Sequence, residues 1–180
     1  MLITKTSFPE LLIIQPKVFE DIRGYFFESY NKDVFAKAGL TMEFVQDNQS
    51  KSKEGTLRGL HFQNPPFEQG KLIFVIKGKV LDVVVDIRKA SPCFGKYFSI
   101  ELNETNKTML WIPPGFAHGF LTLEDDTIFV YKCTNFYNKN AEDGIFWNDT
   151  QLNIHWNIQN PIISEKDKTL PLWQNFSSLF

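Results

Sequence analysis

An imidazole, a guanidinium and an ammonium lie close together in one stretch of the sequence, at His61, Arg58 and Lys71. An imidazole titrates near neutral pH, so it can take and return a proton. A fixed cation beside it stabilises negative charge that develops on a substrate oxygen. Removal of a proton from a carbon next to a keto group needs both kinds of group. The stretch therefore predicts a proton-abstraction site, with a surface loop of scattered polar residues as the alternative.

Hydrophobic segments on both sides of this stretch predict strands, and strand geometry decides which side chains share a face. Arg58 and His61 are three positions apart, so an unbroken strand would turn them to opposite faces. Gly59, between them, could host a bulge or a close approach that re-aims one of the two. A pair of prolines then interrupts regular pairing, so we expect a turn before Lys71 opens the next strand.

The composition is that of an ordinary globular protein rich in aromatic side chains, with 43% hydrophobic residues, 22% charged residues and 18 phenylalanines. The net charge of −2 argues against a nucleic-acid partner, which would require a basic surface. Cys93 and Cys133 lie far apart without metal-type spacing, which favours a reducing compartment. The sequence has neither a cleavable leader pattern nor an apolar run of about 18 residues, so we expect a cytoplasmic protein without a membrane partner.

Short hydrophobic segments that alternate with polar turns predict a mainly β protein with a few short helices. Their regular spacing is typical of a sandwich or barrel, and the expected strands are 72–76, 80–87, 96–102, 109–112, 120–123 and 128–134. A further strand is expected over 8–19, interrupted at Pro16. Asn31 or Asp33 is expected to cap a helix that runs to Ala38, and a second helix is expected near 165–169.

Prolines and glycines before His118 predict a tight turn that presents this imidazole at the start of a strand. The Pro-x-Gly-x-x-His spacing resembles the second motif of the cupin superfamily, whose fold is a jelly-roll β-barrel. In metal-binding cupins the partner motif supplies two histidines and a carboxylate. Here it supplies His61, then Gln63 in place of the second histidine, and Glu68. Because an amide is a poor ligand for a transition metal, a site made of His61, Glu68 and His118 is only an alternative, and we predict no metal.

The segment around Tyr131 predicts another strand of the barrel. Alternation along a strand puts Tyr131 and Cys133 on one face and Lys132 on the other. A tyrosine that faces a barrel interior needs a hydrogen-bond partner, so it is either a satisfied core phenol or a proton donor or acceptor.

Together these stretches resemble the nucleotide-sugar 3,5-epimerases, of the type that acts on dTDP-4-dehydro-6-deoxyglucose in dTDP-L-rhamnose synthesis. The resemblance covers nearly the whole chain, and its motifs are FEDIRGYFFE (19–28), FVQDN (44–48), LRGLH (57–61), QGK (69–71), DVVVDIR (82–88), WIPPGFAHGF (111–120), YK (131–132), WND (147–149) and ISEKD (163–167). Each motif is weak alone, whereas their order and spacing make the resemblance specific.

The resemblance implies a cupin-type jelly roll, a single domain over 1–180 and a role for each residue of the site. His61 would be the base, supported by Asp167 through its other ring nitrogen. Lys71 would stabilise the enolate, and Tyr131 would deliver a proton on the opposite face. The residues that it places in contact with the nucleotide sugar are Arg23, Glu28, Gln46, Asn48, Arg58, His118, Glu142 and Lys166.

The resemblance also implies a homodimer that needs no cofactor, in which an N-terminal arm over residues 1–30 is exchanged with the partner subunit. Arg23 and Glu28 would then act in the neighbouring site, and residues 160–180 would form a C-terminal tail. The chain departs from the family pattern at Cys133, commonly threonine, at Phe136, commonly tyrosine, and at Phe74, often polar or basic. Phe74 follows Lys71 on its strand, so it leaves the finer substrate choice open.

Three classes of protein fit these features, and the cofactor-independent epimerase is favoured. A metal-dependent cupin enzyme is disfavoured by Gln63. A non-catalytic sugar-binding cupin is disfavoured because His61, Lys71 and Tyr131 occur together. Within the favoured class, the alternative is an epimerase of another nucleotide-linked 4-keto sugar, such as a GDP-linked heptose, or one that inverts only C3.

Overall fold

Thirteen strands and two short helices make up the computed structural model, which describes residues 1–180. The strands are β1 (Leu2–Lys5), β2 (Leu12–Gln15), β3 (Phe19–Asp21), β4 (Gly24–Phe26), β5 (Gln46–Ser52), β6 (Leu57–Gln63), β7 (Lys71–Lys77), β8 (Lys79–Asp86), β9 (Tyr97–Asn103), β10 (Met109–Ile112), β11 (Phe116–Thr122), β12 (Thr127–Cys133) and β13 (Glu142–Gly144). The helices are α1 (Lys32–Lys37) and α2 (Glu165–Lys168), and a 3-10 turn follows at Trp173–Asn175.

The strands form two antiparallel sheets and a separate hairpin. One sheet has six strands in the order β1-β2-β10-β7-β12-β5, and the other has five in the order β13-β6-β11-β8-β9. Strands β3 and β4 form the hairpin. Consecutive strands alternate between the sheets over much of the chain, which is the jelly-roll arrangement that the family resemblance implies.

Three apolar layers hold the sheets in place. The inner layer lies between the sheets, where Ile73, Val84 and Phe129 pack together. The outer face of the five-stranded sheet is covered by the C-terminal part of the chain, and the outer face of the six-stranded sheet is covered by α1. The outer faces of both sheets are thus buried under other parts of the chain. The polar side chains of the cavity lie between the sheets, where the barrel opens.

Most of the expected elements form close to their predicted bounds. Helix α1 begins after Asn31, whose side-chain oxygen accepts hydrogen bonds from the backbone of Asp33 and Val34. The predicted strand over 8–19 is wrong in its first part, since pairing is confined to β2 and ends before Pro16. Strand β11 begins at Phe116, earlier than predicted, because the chain pairs with β8 directly after the turn at Gly115.

The β3–β4 hairpin stands apart from both sheets. Its large apolar side chains are exposed in the single chain, among them Phe19, Ile22 and Phe26. None of the helices has the length and apolar character needed to span a membrane.

Candidate active site

A bulge in β6 brings Arg58 and His61 to the same face. The register between β6 and β11 shifts between these two residues, as an extra residue in β6 requires. Gly59 occupies the bulge at φ +128°, and a Cβ there would lie 2.5 Å from the Cα of Gly119. Only glycine fits this position. As a result of the bulge, the side chains of Arg58 and His61 line one cavity of about 500 Å³. This is the role expected for Gly59 from its place between the two residues.

His61 is held by a carboxylate from the far end of the chain. Its Nε2 lies 2.7 Å from Oδ1 of Asp167, which α2 carries and which is buried. Burial alone would raise the pKa of Asp167, but hydrogen bonds from His61, the Gly59 amide and Ser164 lower this pKa overall. The ionised carboxylate therefore accepts a hydrogen bond from Nε2–H, which leaves Nδ1 as the nitrogen that can take a substrate proton.

Lys71 and Tyr131 face the same cavity from the six-stranded sheet. The Nζ of Lys71 lies 5.8 Å from the centroid of the Tyr131 ring. Burial lowers the pKa of Lys71, and the nearby Cys133 thiol partly offsets this effect. Burial raises the pKa of Tyr131, so its phenol keeps its proton at neutral pH. As predicted, Lys132 points to the other face, where its Nζ lies 2.9 Å from a carboxylate oxygen of Asp47.

A second histidine–carboxylate pair lies deeper in the barrel. The Nε2 of His118 is 2.8 Å from Oδ2 of Asp82, and both side chains are buried. Burial lowers the pKa of His118 and raises that of Asp82. The sequence motifs predict a role for His118 but none for Asp82, although a carboxylate among the valines of β8 is a signal for an inward-facing charge.

The outer part of the cavity continues from His61, Lys71 and Tyr131 into a space of about 290 Å³. Its further lining residues are Gln46, Asn48, Phe62, Gln63, Gln69, Tyr137 and Glu142. The Oη of Tyr137 donates to Glu142 at 3.0 Å, and the Nζ of Lys166 lies 2.5 Å from the same carboxylate. Tyr137 was missed in the sequence, where nothing distinguishes it from other exposed aromatic residues.

Gln63, which stands where metal-binding cupins have a histidine ligand, makes structural hydrogen bonds with the backbone. Its Nε2 donates to the carbonyl oxygens of Phe67 at 2.6 Å and Phe136 at 3.2 Å. Its Oε1 accepts from the amide of Asn138 at 2.7 Å. Gln63 therefore ties together the two loops beside the outer cavity. The structure brings no three metal-ligating side chains together, so the alternative site that includes Glu68 is not assembled.

Two predicted substrate contacts lie outside the cavity of the single chain. Arg23 sits on the exposed hairpin, where its guanidinium lies 2.5 Å from a carboxylate oxygen of Asp21. Glu28 follows the hairpin and accepts a hydrogen bond from Asn31 at 2.9 Å. The other predicted contacts, Gln46, Asn48, Arg58, His118, Glu142 and Lys166, all line the cavity.

The three departures from the family pattern differ in their distance from the site. Phe74 packs with Phe35 and Trp111 under α1, on the outer face of the six-stranded sheet. Its inferred bearing on substrate choice is therefore wrong, because strand alternation directs it away from the cavity. Phe136 is exposed, and its carbonyl rather than its ring is held by the site. Cys133 lies on the cavity side of β12, where its sulfur accepts from the Nδ2 of Asn48 at 3.6 Å.

Fold and site define a cupin-type isomerase in which an imidazole–carboxylate pair faces a lysine and a tyrosine across one cavity. The chain belongs to the dTDP-4-dehydrorhamnose 3,5-epimerase family, whose sequence profile matches residues 5–175. It is 55% identical over 168 residues to the dTDP-4-dehydrorhamnose 3,5-epimerase of Shigella flexneri, with 93% of each chain covered.

Two crystal structures show how closely the fold agrees. The dTDP-4-dehydrorhamnose 3,5-epimerase of Bacillus anthracis, with TDP and PPi bound, matches with a TM-score of 0.93 at 46% identity, covering 95% of this chain and 98% of that one. The dTDP-6-deoxy-D-glucose-3,5-epimerase of Legionella pneumophila, in complex with dTDP-4-keto-L-rhamnose, matches with a TM-score of 0.93 at 43% identity, covering 98% and 94%.

Proposed function

We propose that this protein inverts C3 and C5 of dTDP-4-dehydro-6-deoxyglucose by proton removal and return, with no metal or cofactor. One observation carries the proposal: His61 and Tyr131 enter the same cavity from different sheets, β6 and β12. A base and an acid on opposite sides of a bound sugar are what inversion of a carbon centre requires. The dTDP-sugar in the Legionella pneumophila relative supports this choice of substrate.

His61 takes the proton from the carbon beside the keto group. The electron pair of the C–H bond then moves towards the keto oxygen and forms an enolate. Asp167 holds the imidazole in the tautomer that accepts at Nδ1, and it stabilises the imidazolium that results. Lys71 supplies positive charge for the enolate oxygen in surroundings where burial strengthens the interaction.

Tyr131 returns a proton on the opposite face of the sugar. Its phenol remains protonated at neutral pH, as a general acid must be before it acts. Collapse of the enolate takes the phenolic proton onto carbon, restores the keto group and leaves the centre inverted. In this proposal the inner cavity binds the diphosphate and sugar through Arg58, Lys166 and His118. The outer cavity binds the nucleoside through Gln46, Asn48 and Glu142.

The working form in this proposal is a homodimer in which the β3–β4 hairpin enters the neighbouring cavity. Exposed Phe19, Ile22 and Phe26 need a cover, which a second copy provides. The same movement carries Arg23 and Glu28 to a substrate. In the single chain, β1 pairs with β2 and β2 pairs with β10 of the same sheet, so the proposal confines the exchange to the segment after Pro16.

Deuterium exchange tests the proposed reaction directly. The protein, after exhaustive chelation, is incubated in D2O with dTDP-4-dehydro-6-deoxyglucose and, separately, with a GDP-linked 4-keto heptose. We expect deuterium at C3 and C5 of the dTDP sugar and none in the heptose, as read by mass and NMR. His61→Asn is the matched control, and it should reduce exchange by about 10²–10⁴. Exchange at C3 alone, exchange only in the heptose, or activity that returns only with a divalent ion would contradict the proposal.

A further inference from the structure

Five side chains with basic groups line the inner cavity, and they differ in whether a carboxylate of the protein lies beside them. Three of them lie within ion-pair distance of a carboxylate, at 2.5–2.8 Å: His61 with Asp167, His118 with Asp82, and Lys166 with Glu142. Arg58 and Lys71 form no ion pair with the protein. Anionic groups of a ligand are therefore drawn to these two side chains.

The polar partner of Arg58 is Ser52, at the end of β5. The Nε and Nη2 of Arg58 donate to the hydroxyl oxygen of Ser52 at 3.3 and 3.2 Å. Ser52 is only 8% exposed, and it lies on the cavity face of β5 together with Gln46 and Asn48. A buried hydroxyl thus fixes the direction of the guanidinium at two of its nitrogens.

A hydroxyl orients a guanidinium without cancelling its charge. An arginine side chain has many rotamers, and ordering it when a ligand binds lowers the affinity. A carboxylate in the place of Ser52 would order the side chain too, but it would also neutralise the charge that a phosphate needs. The neutral acceptor leaves three N–H groups of Arg58 free for a bidentate contact, the two on Nη1 and the second one on Nη2.

We propose that Ser52 is a positioning residue, which orients Arg58 for the diphosphate of the substrate and leaves its charge free. The inference rests on the proposed function in one respect, that Arg58 contacts the diphosphate. Ser52 itself need not touch the substrate. Its contribution is to substrate binding in the ground state and the transition state alike, and so to KM rather than to kcat.

The first test compares variants of Ser52 in dTDP binding by calorimetry and in epimerisation kinetics. In Ser52→Ala we expect Kd for dTDP and KM to rise about three- to tenfold, with kcat within a factor of about two. Ser52→Thr keeps the hydroxyl and should restore both values. Ser52→Asp should bind dTDP more weakly than Ser52→Ala, because it orients Arg58 but neutralises it. Equal losses in the alanine and aspartate variants would overturn the inference.

A double-mutant cycle shows whether Ser52 acts through Arg58. In an Arg58→Ala background, Ser52→Ala should have no further effect on dTDP binding. The same loss in both backgrounds would mean that Ser52 acts independently, and would refute the inference while leaving the proposed function intact. A wild-type protein that binds no dTDP would contradict the proposed function and the inference together. The thermal midpoint of each variant separates loss of binding from loss of folding.

Discussion

At the scale of residues, the two histidines of the cavity are distinguished by their surroundings. The side chain of His61 is 28% exposed and that of His118 is 7% exposed, although each lies beside a carboxylate. A base must exchange its proton with solvent between turnovers, which an open position allows. Burial lowers the pKa of His118, so this imidazole is neutral at neutral pH and suits a hydrogen-bonding contact. The environment therefore favours His61 as the base.

Tyr131→Phe separates the two proton steps. The variant keeps His61 and Lys71, so it should still exchange substrate protons for deuterium, but the doubly inverted product should fall by about 10²–10⁴. Deuterium incorporation and product composition are measured on the same sample. Tyr97→Phe on β9, outside the cavity, is the matched control and should leave both unchanged. If Tyr131 is only a core residue, its variant loses about 1 kcal/mol of stability with the product mixture unaltered.

The alkaline limit of activity should report on Lys71. Catalysis needs the ammonium form, which is lost as pH rises through the lysine pKa. Because burial lowers the pKa of Lys71, activity should fall at a pH below the usual lysine value of about 10.4. In Lys71→Arg the cation persists, so the alkaline limb of kcat/KM should move to higher pH. If the alkaline limb of kcat/KM stays at the same pH in Lys71→Arg, it reports the titration of another group.

At the scale of elements, the strand pattern predicts the barrel but only part of its geometry. Alternation on β12 correctly places Tyr131 on the cavity side, because apolar and polar residues there follow the period of a strand. The short strands β1 and β13 escaped prediction, since β13 has no apolar side chain and β1 has only two, too few to show the period of a strand. The pairing of His61 with Asp167 depends on where the C-terminal tail crosses β6, and no local pattern encodes that crossing; only the family resemblance anticipated it.

The need for glycine in the β6 bulge can be tested by adding one methyl group at position 59. In Gly59→Ala the new Cβ meets the backbone of Gly119, so we expect a loss of about 2–4 kcal/mol in stability and misplacement of His61. Gly39→Ala is the control, because Gly39 after α1 also has a positive φ, +84°, and no atom lies within 4 Å of the added Cβ. It should show the cost of backbone strain without the clash. Denaturant unfolding of both variants measures the difference, and equal losses would show that the contact with Gly119 is unimportant.

At the scale of the whole molecule, the single chain has a complete inner cavity and an incomplete set of substrate contacts. Arg23 and Glu28 are on or beside the exposed hairpin, away from the cavity lining. The family motif indicates their chemistry, and in the proposed homodimer they would reach the cavity of the second copy. The proposed assembly, which shares residues between sites, would explain why polar and apolar side chains are exposed together on this hairpin.

Mixing two inactive variants tests the shared site. Arg23→Ala removes the contact offered to the neighbour, and His61→Ala removes the base within the chain. If the sites are shared, a mixed dimer has one cavity with both residues intact, so activity should return to about a quarter of the wild-type value after random re-pairing. A chain that sediments as an active monomer, or a mixture that stays inactive after exchange of subunits has been verified, would contradict the exchange.

The placement of His61 and Tyr131 on different sheets has a consequence for the order of events. With the proposed roles, one inversion leaves an extra proton on the imidazole and a missing one on the phenol, so the protein does not return to its starting state. A second centre can be inverted only after both groups have been reset through solvent. The route for these protons is the outer cavity, because His61 and Tyr131 both line it and Tyr137 at its edge is exposed to solvent. The fraction of sugar released after a single inversion therefore measures the rate of sugar dissociation relative to the rate at which His61 and Tyr131 recover their starting protonation states.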